Sequence, residues 1–85
     1  MKLSLIEVVE NNKNYTSENG VLFNKDKTEL IKYPIGKEES EYEIPETVEI
    51  IKESAFYSSK LVKVTFNEKL QKIEKYAFRF NFNSL

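Results

Sequence analysis

Ile44-Pro45-Glu46-Thr47-Val48-Glu49-Ile50-Ile51-Lys52-Glu53-Ser54-Ala55-Phe56 returns, in pattern, as Phe66-Asn67-Glu68-Lys69-Leu70-Gln71-Lys72-Ile73-Glu74-Lys75-Tyr76-Ala77-Phe78, 22 residues further on. Ile44 falls on Phe66, Val48 on Leu70, Ile51 on Ile73, Ala55 on Ala77 and Phe56 on Phe78. Glu46 falls on Glu68. A self-similar period of this length marks an architecture of stacked units. One unit cannot bury its own apolar face, and neighbouring units bury a continuous one. Alanine beside phenylalanine fits that scheme: the small side chain leaves room for the next unit and the ring fills the interior layer.

Each copy is entered through a strand-like segment. In Leu61-Val62-Lys63-Val64-Thr65-Phe66, Val64 and Phe66 fall on one side and Lys63 and Thr65 on the other, the period of a strand. One repeat earlier, Tyr42 and Ile44 point inward and Glu41 and Glu43 outward. Pro45 then ends the strand, since it has no N–H to give to a ladder. Near the N-terminus, Leu3-Ser4-Leu5-Ile6-Glu7-Val8 has the spacing of Leu61, Val64 and Phe66 and predicts a first strand of the same kind.

The segment between has another character. Tyr15 to Phe23 reads as strand, turn, strand about Asn19-Gly20, two residues that tolerate the positive φ of a tight hairpin. Asn24-Lys25-Asp26-Lys27-Thr28 is a second polar turn. It is not a calcium loop, because Glu29 and Ile35 stand where an EF-hand needs Gly and Glu. Leu30-Ile31-Lys32-Tyr33 is a further strand, stopped by Pro34 and Gly36. The expectation is a small β-meander packed onto the stacked units, followed by a charged connector over residues 37–41.

Composition excludes several function classes. The 85 residues are 40% hydrophobic, with eleven Phe and Tyr, too apolar for a disordered tail. There is no cysteine and no histidine. Disulfides, thiolate or imidazole zinc sites and histidine-activated nucleophiles are therefore absent. No apolar run approaches the ~20 residues of a membrane helix, and Glu7 and Glu10 interrupt the first apolar patch too early for a signal peptide. Net charge is −1, made of −5 over residues 1–49 and +4 over residues 50–85. The acidic half would repel phosphate, which argues against nucleic acid as a partner. Glu38, Glu39, Glu41 and Glu43 lie in a surface connector, without the pocket that would split their pKa values for acid–base work. Asn14-Tyr15-Thr16 matches the N-glycosylation triplet, but reads as a plain turn.

With strand, Ile-Pro, Val-x-x-Ile and Ala-Phe in this order, Tyr42 to Phe56 resembles the BspA-like class of bacterial leucine-rich repeats. Val64 to Phe78 is similar, and Asn11 to Pro34 looks like the hairpin insert common in those proteins. The sequence departs from the family pattern at Lys52 and Glu74, where glycine is usual. The resemblance implies a mainly β fold: a leucine-rich-repeat solenoid fragment of about two and a half coils with a β-hairpin insert. It implies one domain over residues 1–85: a partial first coil (1–10), the insert (11–36), a second coil (37–63) and an incomplete third (64–85). It also implies a cell-surface or secreted protein that works in adhesion or protein binding, with no catalytic residue set.

The candidate partner-binding face is therefore the outward side of the strands: Leu5, Glu7, Glu41, Glu43, Lys63 and Thr65. Tyr15, Phe23, Tyr33, Phe56, Phe66 and Phe78 are expected in the core. Tyr57, Tyr76, Phe80 and Phe82 fit no repeat position and serve either as a sugar-binding platform or as cover for the C-terminal end. No cofactor and no metal is expected, and the partner is a protein. With so few units, and a chain that stops mid-repeat, the expectation also includes self-association or neighbouring repeats. The alternative function is a structural spacer or terminal fragment of a longer repeat protein, without a ligand of its own.

Overall fold

The structure is a computed structural model and describes residues 5–79. Among these, all regular structure is β: β1 (Tyr15–Glu18), β2 (Val21–Asn24), β3 (Glu29–Lys32), β4 (Glu41–Glu43), β5 (Ile50–Ile51), β6 (Lys63–Thr65) and β7 (Lys72–Ile73). They form two sheets. One has five strands in the order β1-β2-β3-β5-β7, and the other has β4 and β6 alone.

The repeat organises both sheets. β4 and β6 run parallel with Glu41 opposite Lys63, Tyr42 opposite Val64 and Glu43 opposite Thr65, each pair one repeat apart. β5 and β7 run parallel with Ile51 opposite Ile73. The same backbone bonds recur between units. The Glu49 carbonyl accepts from Gln71 and Lys72 at 2.8 and 3.1 Å, and the Ala77 carbonyl accepts from Phe56 at 2.7 Å.

The meander is not packed onto this stack, as the sequence had led us to expect; it continues one sheet of it. β3 pairs parallel with β5, Leu30 opposite Ile51. The Thr28 carbonyl accepts from Glu49 and Ile50, just as Glu49 accepts one unit later, and Tyr33 donates to the Ala55 carbonyl at 2.8 Å. β3 thus occupies the column of β5 and β7. β1 and β2 extend the sheet beyond it as an antiparallel hairpin. Its turn has Asn19 at φ 53° and Gly20 at φ 80°, the double positive φ that suits a two-residue hairpin loop. The positive φ is what calls for glycine, since a Cβ there would crowd only the movable tip of Leu5, at 2.6 Å from Cδ1. The second turn is stitched by Asn24, whose Oδ1 accepts from the Thr28 and Glu29 amides, both at 2.9 Å.

The expected first strand does not form over residues 5–8. The Ile6 amide instead donates to the Gly20 carbonyl, and the Val8 amide to Ser17 Oγ, both at 2.9 Å. The physical reason is the hairpin. By adding two strands to one sheet only, it carries the N-terminal segment with it and away from β4. Residues 3 and 4 of that expected strand lie outside the described residues.

Between the sheets runs an aromatic column. Tyr33 stacks on Phe56 at 5.2 Å and Phe56 on Phe78 at 4.9 Å, with Tyr42 edge-on to Tyr33 at 5.2 Å. Offset-stacked and edge-to-face pairs suit the ring quadrupoles. Phe23, Leu30, Val48, Ile51, Ala55 and Leu61 close around it, all fully buried. Two expected core residues are exposed: Tyr15 at 45% and Phe66 at 39%. Tyr15 belongs to β1, an outer strand of its sheet. Phe66 follows β6, which has a described strand on one side only, and its ring meets Phe78 edge-on at 6.0 Å.

Candidate functional site

The outward side chains of β4 and β6 form one exposed patch. Strand pairing sets Glu41 beside Lys63 and Glu43 beside Thr65, and all four are exposed. Alternation produces this: Tyr42 and Val64 turn inward from the same strands onto the aromatic column. Below the patch lies a hollow of about 270 Å³, lined by Glu43, Ile44, Thr65, Phe66 and Asn67 among others. Half-exposed Phe66 thus sits among polar neighbours. On the other flank an open gap of about 560 Å³ separates Glu41, Tyr42 and Glu43 from Leu5 and Asn19. The structure accordingly brings four of the six candidate residues onto one sheet. Leu5 only borders the gap, while Glu7 is exposed on the irregular N-terminal segment. Neither belongs to the strand face, because the segment that bears them follows the hairpin.

Charge on the surface is also tied between successive units. Lys60 Nζ meets Glu38 at 2.8 Å and Lys52 Nζ meets Glu74 at 3.6 Å, pairs 22 residues apart in each case. Lys37 pairs with Glu39 at 3.1 Å, and this ammonium holds the exposed Glu39 carboxyl below the usual range. Lys27 pairs with Glu18. Among the described residues no group of three or more acidic side chains is placed to hold a metal.

Two functional details were hidden from sequence reasoning. Asn67 Nδ2 donates to the carbonyls of Pro45 at 2.6 Å and Val48 at 3.0 Å, and its Oδ1 accepts from Lys69 N at 2.7 Å. It stands where the preceding unit has Pro45, so the repeat frame gave no signal for it. The Tyr33 hydroxyl, at the base of the open gap, is buried with no hydrogen-bond partner among the described residues. Burial, reinforced by the Glu39 charge, pushes its pKa up to about 12. Tyr33→Phe is expected to stabilise the free chain by about 1 kcal/mol, because a buried unpaired hydroxyl costs about that or more. The sign against pH follows. Unfolded tyrosine ionises near pH 10 and folded Tyr33 near 12, so Tyr33 costs the parent stability across that window, while the variant loses only what Tyr42, also pushed up by burial, contributes. Thermal melts at pH 7 and pH 11 should show a gain at pH 7 that widens at pH 11. A loss at both would mean that the hydroxyl has a partner.

Comparison with known proteins bears on the repeat and its fold. Residues 36–85 match the family described as BspA type Leucine rich repeat region (6 copies). The chain belongs to this family. The same folding pattern occurs in a leucine-rich repeat protein from Eubacterium ventriosum, 43% identical over 84% of this chain, with a TM-score of 0.81. It occurs too in the pneumococcal vaccine antigen PcpA, 38% identical over 92% of this chain, with a TM-score of 0.88. This BspA-type chain spans about a fifth of the length of either structure, 19% and 20%. No curated protein sequence matches it significantly. No described helix is long and apolar enough to cross a membrane.

Proposed function

We propose that this chain is a non-catalytic binding module of a bacterial surface or secreted repeat protein, and that the β4–β6 face receives a protein partner. The supporting observation is the mixed-charge patch of Glu41, Glu43, Lys63 and Thr65 set beside a hollow in which Phe66 is 39% exposed. An accessible aromatic ring with a polar rim is the arrangement that anchors protein interfaces. Membership of the BspA-type family and the likeness to a pneumococcal vaccine antigen support surface exposure and adhesion. On this reading the chain is a solenoid piece of about two and a half coils. Residues 1–10, 37–63 and 64–85 supply the coils and residues 11–36 a hairpin insert, within one domain. The alternative is a spacer without a ligand of its own.

The test uses a photo-crosslinking amino acid at position 63 and, as control, at position 25 on the hairpin side. Each chain is exposed to a defined panel of purified extracellular proteins. A binding face gives an adduct with the same panel member from position 63 and none from position 25. Yield should fall as salt rises, since exposed charges more than ~10 Å apart are screened at 0.1 M. Lys63→Glu should slow association about threefold to tenfold, as reversal of a rim charge does. Equal capture at both positions, or at neither, would support the spacer.

A further inference from the structure

The two sheets are unequal on one side of β4. The five-stranded sheet continues through β3 to β2 and β1, whereas no described strand lies beyond β4 in the other. The N-terminal segment, hydrogen-bonded to the hairpin at Gly20 and Ser17, stands off by those extra strands. At about 4.8 Å per strand this opens a space of strand width or more. An open gap of about 560 Å³ lies there, lined by Leu5 and Asn19 on one wall and Glu41 to Glu43 on the other.

The backbone of β4 faces this space with groups that no described strand receives. The Ser40 carbonyl and the Ile44 amide both bond the β6 side. Alternation then turns the amides and carbonyls of Glu41 and Glu43 the other way, where no described strand receives them. Tyr33, which also lines the gap, has a buried hydroxyl without a partner among the described residues. The side chains set the charge. Glu39, Glu41 and Glu43 line the gap against a single lysine, Lys37, which is itself paired with Glu39. On its other edge β4 already pairs with a strand that sets Lys63 against Glu41.

We propose that the gap is a strand-addition site. An extended protein segment with lysine or arginine at alternate positions pairs with the free edge of β4. Main-chain bonds to Glu41 and Glu43 hold it, and their carboxylates select the basic side chains. This deepens the proposed protein-binding function and rests on it, but it engages the strand edge rather than the strand face.

The experiment titrates the full chain with an end-blocked peptide, Thr-Lys-Val-Lys-Val-Lys-Val-Thr, and with its counterpart bearing Glu for Lys. Hydrogen exchange at individual amides is read by NMR. The site predicts exchange slowed about tenfold or more at Glu41 and Glu43 by the lysine peptide, and none by the glutamate peptide. Glu41→Pro removes an amide on the free edge only, which an edge strand tolerates. It should abolish binding, while Glu41→Gln weakens binding yet keeps Glu43 protected. Should Glu41→Pro not fold, the exchange data on the parent still decide. Peptide binding without protection of the Glu41 and Glu43 amides would overturn strand addition. A partner crosslinked at position 63 that leaves both amides unprotected would do the same, with the face reading intact. Protection without any face partner would leave the edge site standing alone.

Discussion

Phe56→Ala is expected to cost about 3–5 kcal/mol, the usual loss for a fully buried phenylalanine. Phe56 has no exposed surface and is the middle ring of the column, stacked on Tyr33 and Phe78 and tilted against Tyr42 at 6.0 Å. It therefore touches the unit before it and the unit after it. Deletion leaves a cavity between Tyr33 and Phe78, the two rings stacked on it. A chain of this size has roughly 4–13 kcal/mol of stability in all. The variant should lose about 15 °C or more in Tm, and at the low end of that range it will not fold. Phe56→Leu keeps most of the volume and should cost about 1 kcal/mol. Denaturant melts of the two variants, compared at equal m-value, check the prediction. If the alanine variant lay within 1 kcal/mol of the parent, the column would not be the centre of the fold.

Asn67→Ala should cost about 2–3 kcal/mol, by a different route. Three hydrogen bonds disappear, each worth about 1 kcal/mol net. Two of them end on carbonyls of the preceding unit, those of Pro45 and the fully buried Val48. Pro45 keeps the Val48 amide as a partner at 3.1 Å, so the greater part of the loss falls on Val48. Asn67→Asp separates donor from acceptor. Its carboxylate still accepts from Lys69 but faces two carbonyls it cannot bond, so it should be destabilised at pH 7 and partly recover near pH 3, where the acid can donate once. Equal stability of the parent and the aspartate variant at pH 7 would mean that the amide does not bridge the two units.

The repeat core was legible because its physics is local and periodic. Ile51, Ala55, Phe56 and Ala77 are buried at the positions the 22-residue frame assigns to them. The hairpin was legible from Asn19-Gly20, since only a short list of residues tolerates both positive φ values. Asn67 was not legible, because its counterpart Pro45 cannot donate and no local rule points to a bond across 19 or 22 residues. Phe66 was misjudged for a related reason. Alternation assigns a side of a strand but does not state how many neighbours that side has.

What the sequence alone determined is the repeat: its 22-residue period, the strands that open its copies at β4 and β6, and the inward Ile44, Val48, Ile51, Ala55 and Phe56 of the first copy. Those follow from backbone geometry and from the need to bury one apolar face against the next. The tertiary structure decided where the hairpin joins. By pairing β3 with β5 rather than lying across the stack, it lengthened one sheet by two strands and not the other. That inequality removed Leu5 and Glu7 from the strand face, opened the gap beside β4 and left the Tyr33 hydroxyl buried without a partner among the described residues. Such a difference arises only when two sheets must be counted against each other, because hydrogen bonds to a strand satisfy one edge at a time and leave the other to whatever segment can reach it.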